Sequence, residues 1–288
     1  MCGLFGHKPT NGLISTKGLT YRTGDEVDTM VTAGTITKYS EDIIPFLKVL
    51  LGQNVEKLTL DKPINVKEIE VFYEFDYGDP KISPLGKEMR NAIQKTINYF
   101  MQNSALSPQK LNLPNIRYGG KLWRYWYSQE SDIKKDLTDR QGEVSPYTEI
   151  AKFFLGQSEY NIGTISILIN QMLPAEDGKW AQQLTDELRN DIVKKLGSNG
   201  VLIYPGAPWS ARYHNTAVLR PWNFYCFAIW NALKLPVTQV PLGLDSEGLP
   251  IGIQVVAAPF QDHLCIAVAR ELEKVFGGYV PPFSLNKE

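Results

Sequence analysis

The sequence has no long hydrophobic run and few cysteines for its 288 residues. No segment approaches the roughly 18 consecutive apolar residues that a membrane-spanning helix needs, and no basic stretch followed by an apolar one opens the chain as a targeting peptide would. The three cysteines, Cys2, Cys226 and Cys265, are odd in number and far apart. This argues against a secreted disulfide framework and predicts free thiols in a reducing, intracellular environment. Any membrane association is therefore expected to be peripheral.

An excess of charge of either sign is also missing. Thirty Lys and Arg residues balance 31 Asp and Glu residues, which gives a net charge of -1. This balance provides neither a basic footprint for nucleic acid nor a polybasic tract for an anionic membrane surface. Nucleic acid is therefore not an expected partner.

The usual signatures of catalytic and cofactor sites are absent from the sequence. There is no G-x-S-x-G, C-x-x-C, H-E-x-x-H, P-loop or G-x-G-x-x-G motif. The three histidines have no metal-ligand spacing, so neither a metal nor another cofactor is expected. Ser210 lies four residues before His214, which would let a nucleophile and a base approach each other. The loop before them offers no evident oxyanion donors, and a polar loop at a strand end is the favoured interpretation.

Helical patterns recur along the chain. Residues 40–51, 180–192 and 264–275 place apolar side chains at spacings of three and four, which predicts amphipathic helices. The Ser-Pro pairs at 83–84 and 145–146 each place a capping hydroxyl before a proline in the first helical turn. Two further helices are therefore expected to start at these pairs.

Strand patterns alternate with these helices. Residues 68–75 alternate in polarity, which predicts a strand with one exposed face, whereas the continuous apolar run at 201–204 predicts a strand buried on both faces. Residues 237–242 and 251–257 are joined by a polar Asp-Ser-Glu-Gly loop and predict a pair of neighbouring strands. Strands alternating with helices predict an α/β fold, and we expect a single domain over residues 1–288.

Aromatic residues near the buried strand indicate a candidate ligand pocket. Tyr204 and Trp209 lie at its carboxyl end, where α/β sheets tend to bind ligands. Tyr204 and Trp209 are therefore candidates for the pocket rim. The helix that follows carries Phe224, Phe227 and Trp230 and is more aromatic than one core stripe requires. For the rings of the helix, core packing is the favoured interpretation, and the alternative is that one helix face lines a long apolar pocket for an acyl chain or aryl group.

A second apolar segment lies between residues 153 and 173, where Glu159 is the sole charge. Burial against the sheet explains this composition and is slightly favoured. The alternative is a short helical hairpin that presents an apolar face to a bilayer surface. The candidates for that membrane-facing role are Phe153, Phe154, Ile165, Ile167 and Leu168.

The beginning of the chain carries a motif of one known family. Residues 2–10, Cys-Gly-Leu-Phe-Gly-His-Lys-Pro-Thr, contain G-x-x-G-x-K-P-T, and a Thr-Ala-Gly turn at 32–34 is followed by Tyr-Ser-Glu-Asp-Ile at 39–43. These segments resemble the end of the amidase signature, where a glycine-rich serine stretch precedes G-x-x-G-x-K-P-[ST], and the next block of that family.

The end of the chain carries further resemblance to the same family. Residues 231–244 and 248–256 are similar in order and spacing to the closing strands of amidase-signature enzymes. Residues 260–264 and 273–280 are similar to the membrane-associated fatty-acid amide hydrolase type 2 branch in particular. The resemblance extends from residue 2 to about 282 and is weakest in the middle.

The resemblance implies a serine hydrolase of carboxamides built on a mixed β-sheet sandwiched between helices. It implies a Ser, cis-Ser, Lys triad and backbone oxyanion donors, all in the stretch that precedes the element at 2–10. Lys8 matches the family's structural lysine and not its catalytic one. Because the sequence contains no Gly-Gly-Ser, no catalytic residue is assigned to this chain.

Two functions remain open at this stage. The favoured one is that the chain is the C-terminal part of an amidase domain, inactive alone, whose parent hydrolyses fatty-acid amides. The other is a non-catalytic binding or interaction protein that retains the pocket and the membrane-facing surface. Both name a lipid amide as the small-molecule ligand and allow peripheral membrane contact.

Overall fold

A mixed β-sheet forms the centre of the computed structural model, which describes residues 2–19, 29–130, 132–138, 141–213 and 216–282. Its strands are β1 (Phe5–Lys8), β2 (Thr35–Thr37), β3 (Glu70–Tyr73), β4 (Gln109–Lys110), β5 (Gly200–Pro205), β6 (Val237–Leu244) and β7 (Pro250–Ala257). In the described part of the chain their order is β2-β1-β6-β7-β5-β3-β4. Strand β3 is parallel to β4 and β5, and the other neighbours are antiparallel.

Helices cover both faces of this sheet. They are α1 (Ile43–Leu51), α2 (Lys87–Asn103), α3 (Gly119–Ser128), α4 (Ile133–Asp136), α5 (Pro146–Phe154), α6 (Ile162–Met172), α7 (Gly178–Leu196), α8 (Tyr225–Ala232) and α9 (Asp262–Phe276). The apolar faces of α1, α2 and α9 pack on one side of the sheet, and those of α3, α7 and α8 pack on the other. The predicted α/β fold, with a mixed sheet between helices, is confirmed.

Strand β5 shows why both layers are needed. Successive side chains of a strand point to opposite faces, so Val201 and Ile203 pack with α1, α2 and α9, whereas Leu202 and Tyr204 pack with α3, α7 and α8. All six residues of β5 are buried. This confirms the strand that the apolar run predicted.

The predicted exposed face of β3 is observed only at its start, because Glu70 is exposed whereas Phe72 on the same face is buried. Val71 and Phe72 point to opposite faces and are both buried, because β3 lies between β5 and β4 and is covered on both sides. The carboxylate of Glu74, just past the strand, is also buried and accepts hydrogen bonds from the backbone N–H groups of Phe75 and Asp76 at 2.8 and 3.2 Å.

One of the two predicted Ser-Pro helix starts is observed. The Ser145 hydroxyl accepts a hydrogen bond from the backbone N–H of Thr148 and caps α5. Helix α2 instead begins at Lys87, with Gly86 as its N-cap. The Ser-Pro segment before α2 does not cap the helix, and the backbone N–H of Ser83 instead donates a hydrogen bond to the side chain of Asn223. The three cysteines are free thiols, as predicted.

Candidate functional site

A cavity of about 580 Å³ lies on the sheet face that α8 covers, beside the carboxyl end of β5. Its walls come from α2, the loop after β5 and α8, and its floor comes from β1, β6 and β7. The wall residues include Met89, Trp209, Phe227 and Trp230, and the floor residues include Gly6, Lys8, Gln239, Gly252 and Gln254. The cavity thus combines aromatic walls with a polar floor.

Trp209 forms a fixed part of the wall. Its ring packs against the backbone at Gly86, where a Cβ atom would lie 2.7 Å from the indole Cδ1. The guanidinium carbon of Arg212 lies 4.4 Å from the centre of the Trp209 ring, a cation–π arrangement. The glycine therefore allows the start of α2 to approach the wall closely.

The opposite wall is formed by α8. Phe227 and Trp230 are three residues apart and share one helix face, and both line the cavity. Tyr204 does not line it, because its ring lies behind Trp230 in an edge-to-face contact with 4.9 Å between ring centres. Phe224 does not line it either, and packs against Trp123 at 4.8 Å.

Of the five pocket candidates, the structure brings Trp209, Phe227 and Trp230 together around one cavity and leaves Tyr204 and Phe224 outside it. The sequence pattern could not separate the two groups, because all five rings are close in sequence and similar in chemistry. The use of this cavity for a substrate stays a prediction.

The cavity floor was missed by the sequence analysis. Gln239 on β6 is paired with Gly6 on β1 and with Gln254 on β7, and directly opposite residues of antiparallel strands point to the same face. The Gln254 side-chain amide donates to the carbonyl oxygen of Pro205 at 3.2 Å. A signal was present, since each of these two glutamines is the largest polar residue of its mainly apolar strand.

Lys8 belongs to the same end of the sheet. Its Nζ donates to Asn11 Oδ1 at 2.6 Å and to the carbonyl oxygen of Leu235 at 3.0 Å. Burial lowers the pKa of Lys8 to about 7, against the opposing effect of the Asp262 charge. The Lys8 side chain therefore connects β1 to the segment between α8 and β6.

A buried carboxylate anchors β1 from the other face of the sheet. Asp262 accepts hydrogen bonds from the backbone N–H and hydroxyl of Thr10 at 2.8 and 2.6 Å, and its Oδ1 lies 3.3 Å from His7 Nε2. His7 Nδ1 in turn hydrogen-bonds with the Thr238 hydroxyl at 2.8 Å. Burial raises the pKa of Asp262, but the His7 and Thr10 interactions outweigh it and hold this pKa below its ordinary value.

The local pair Ser210 and His214 receives no support as a catalytic unit. His214 lies outside the described residues. The Ser210 hydroxyl donates a hydrogen bond to the Asp245 carboxylate. Burial raises the pKa of Asp245, but this bond and those from the backbone N–H groups of Leu249 and Glu247 outweigh burial and hold that pKa below its ordinary value. Ser210 therefore contacts a carboxylate of the β6–β7 turn.

Helices α5 and α6 form the hairpin that the apolar segment suggested, with a small core of its own. Ile165 and Leu168 are 1% and 0% exposed and pack with Val144, and Phe153 packs partly against them. Ile165 and Leu168 are therefore core residues of the hairpin, which contradicts the alternative that they face a membrane, whereas Phe153 is half-buried beside them.

The hairpin nevertheless carries an exposed apolar surface. Phe154 is 82% exposed and Leu155 is 71% exposed, while Ile167 is half-buried. The other exposed apolar residues of the hairpin surface are Tyr147, Ile169, Met172 and Leu173. Among the described helices, none is long and apolar enough to cross a membrane.

Comparison with known proteins identifies the family. Residues 1–266 match the amidase family model, so the chain belongs to the amidase family. It is 35% identical to fatty-acid amide hydrolase 2 of Homo sapiens over 97% of this chain and 55% of that protein. Identity to fatty-acid amide hydrolase 2-B of Danio rerio is 33%, with the same coverage. The resemblance to the type 2 branch is thereby confirmed.

More distant relatives share the fold. A glutamyl-tRNA(Gln) amidotransferase subunit of Fusobacterium nucleatum is 24% identical over 96% of this chain and 60% of that protein. A crystal structure of an amidase superposes with a TM-score of 0.67 at 18% identity, over 96% of this chain and 59% of that one. A fatty acid amide hydrolase structure gives 0.58 at 15% identity, over 95% and 53%. The chain spans about half the length of the fatty-acid amide hydrolases it matches.

Proposed function

We propose that this chain is the ligand-binding C-terminal part of an amidase that hydrolyses fatty-acid amides. The observation that carries the proposal is the cavity, with aromatic walls and a carboxamide in its floor. Its floor includes Gly6 and Lys8 of the G-x-x-G-x-K-P-T element. In the amidase signature this element directly follows the serine stretch, so a ligand held here lies beside the segment expected to bring the nucleophile.

The chemistry of the cavity suits an amide with a hydrocarbon tail. Trp209, Phe227, Trp230 and Met89 offer apolar surface, and burying each methylene of a tail contributes about 0.8 kcal/mol. Ligand sites of this kind pair apolar walls with a few polar groups that fix orientation. Gln239 supplies such a group in the floor.

We further propose that the residues in this sequence bind the amide without breaking it. Hydrolysis requires an activated nucleophile, a base and oxyanion donors, and loss of one donor alone raises the barrier by about 2.7 to 4 kcal/mol. The sequence contains no Gly-Gly-Ser element. Contacts that hold substrate and transition state equally lower KM without raising kcat, so affinity is expected without turnover.

Peripheral membrane contact through the α5–α6 hairpin forms part of the proposal. Phe154 and Leu155 are exposed at the end of α5, and Ile169 and Met172 are exposed on α6. An amphipathic surface of this kind can lie in the interface of a bilayer. This location suits an enzyme whose substrates dissolve in lipid.

The test compares the 288-residue chain with a longer version that carries an upstream amidase-signature segment, including Gly-Gly-Ser, on the same polypeptide. Both are offered oleamide and a serine-reactive fluorophosphonate probe. We expect both to bind oleamide, and only the longer version to be labelled, on the added serine, and to release ammonia.

Three outcomes would contradict parts of this proposal. Labelling of the 288-residue chain that Ser210→Ala abolishes would place a nucleophile within it. Binding by both versions without turnover by the longer one would favour the non-catalytic binding protein. Absence of oleamide binding by either version would refute the lipid-amide ligand.

A further inference from the structure

Gln239 presents an unpaired carboxamide to the cavity. It lines the floor and is half-buried, and none of the hydrogen bonds among the described residues involves its side-chain amide. Gln254, its neighbour on β7, differs, because its amide is bonded to Pro205. A partly buried amide without a protein partner is a group available to a ligand.

The Gln239 amide occupies space that is open only because residues 206 and 252 are glycines. A Cβ atom at Gly206 would lie 2.7 Å from Gln239 Oε1, and one at Gly252 would lie 2.6 Å from Gln239 Nε2. The amide is therefore confined between the loop after β5 and strand β7. On the other side, its cross-strand neighbour is Gly6, which has no side chain to cover it.

One further polar atom belongs to a residue that lines the same cavity. The indole Nε1 of Trp230 is buried and has no hydrogen-bond partner among the described residues. A buried polar group without a partner is uncommon and destabilising. Trp230 thus adds a second unpaired polar atom among the residues that line this cavity.

We infer that Gln239 determines specificity for the unsubstituted carboxamide end of the ligand, an inference that rests on the proposed function. A glutamine amide offers one carbonyl acceptor and two N–H donors. A primary carboxamide offers the same set and can form two antiparallel N–H···O bonds with it. An N,N-dialkyl amide has no N–H and can only accept.

The experiment titrates the purified 288-residue chain with oleamide and with N,N-dimethyloleamide. Tryptophan fluorescence reports occupancy, because Trp209 and Trp230 line the cavity. The wild type is expected to bind oleamide about ten-fold more tightly than the dimethyl amide, as the loss of one hydrogen bond at a partly buried site predicts. In Gln239→Met, which keeps the length and removes both polar atoms, the ratio is expected to fall to about one.

Two more variants separate specificity from folding. Gly206→Ala keeps Gln239 but places a methyl group 2.7 Å from its Oε1, which forces the amide to move, so the preference for oleamide should fall in this variant too. Gln183→Met makes the same chemical change on the exposed face of α7 and should leave both affinities unchanged. Circular dichroism and urea midpoints of all variants report whether the fold is retained.

The outcomes distinguish this inference from the proposed function. A purely structural role for Gln239 would weaken both amides equally and leave their ratio unchanged in Gln239→Met, which would overturn the inference. Equal affinity for the two amides in the wild type would also overturn it while leaving the lipid-amide pocket in place. Failure of the wild type to bind either amide would refute both proposals together.

Discussion

Replacing Asp262 with alanine is expected to destabilise the protein strongly, because this carboxylate holds β1 against α9. Its oxygens accept two hydrogen bonds from Thr10 and contact His7, and its side chain has no solvent exposure. Each hydrogen bond to a charged group contributes about 1.5 to 3 kcal/mol, partly offset by the desolvation of the carboxylate. Removing one partner of such a buried set costs about 3 to 5 kcal/mol.

Urea denaturation followed by tryptophan fluorescence measures this loss. With a slope of about 3 kcal/mol per molar urea, a loss of 3 kcal/mol lowers the midpoint by about 1 M. Lys274→Ala is the matched control on the same helix. Its exposed ion pair with Glu271 spans 3.7 Å, and such pairs contribute about 0 to 1 kcal/mol.

The pH dependence provides a second check on the same argument. The pKa of Asp262 is held below its ordinary value of 3.8 in the folded protein, so its stabilising effect is complete above that pH. The effect is lost as the pH falls through 3.8 and on to the lower folded-state pKa. The difference in the free energy of unfolding between wild type and Asp262→Ala should therefore become smaller only at acidic pH. A gap below 1 kcal/mol at pH 7, or one that widens in acid, would refute the reasoning.

Three other predictions concern Lys8 and the α5–α6 hairpin. Burial lowers the pKa of Lys8 to about 7, so above that pH the unfolded chain binds more protons than the folded one. In urea titrations the free energy of unfolding of the wild type, relative to Lys8→Met, should therefore rise by about 2 kcal/mol between pH 7 and 9. A difference between the two proteins that does not change with pH would contradict this. Leu168→Ala should lower the free energy of unfolding by about 2 to 5 kcal/mol, whereas the exposed change Phe154→Ala should alter it by less than about 0.5 kcal/mol, and similar losses would contradict the assigned burial. Replacing Phe154 and Leu155 with aspartate should reduce co-sedimentation with liposomes and leave the circular dichroism spectrum unchanged, so unaltered co-sedimentation would argue against membrane contact through this surface.

Local patterns were sufficient for three neighbouring strands of the sheet, β5, β6 and β7. The continuous apolar run of β5 and the polar loop between β6 and β7 are short-range signals, and both appear in the structure as predicted. Ser145 likewise acts on residues of its own helix. In each case the deciding interactions lie within a few residues along the chain, so the sequence pattern contains them.

Features set by distant neighbours could not be obtained in this way. Helix α2 begins at Lys87 and not at the Ser-Pro pair, because the backbone N–H of Gly86 donates to the carbonyl of Pro208 at 2.9 Å. The cavity floor depends on the pairing of Gly6 with Gln239 across two distant strands. No spacing rule connects such positions before the register of the sheet is known.

The hairpin shows a different limit. Apolar residues lie on both its buried and its exposed sides, so hydrophobicity alone does not separate the two sides. Leu168 and Phe154 are equally apolar in sequence, and packing with Val144 buries one of them and not the other. Hydrophobicity predicted the hairpin but not the face it presents.

The close approach of Gln239 to two glycines restricts the order in which this part of the protein can change during evolution. Gly252 cannot gain a side chain whatever residue occupies position 239, because a Cβ atom there would lie 2.4 Å from the backbone oxygen of Val240. Gly206 meets only the tip of the Gln239 side chain. Position 206 is therefore free to accept a larger residue once position 239 has become shorter, and homologues should show these two positions varying together while position 252 remains glycine.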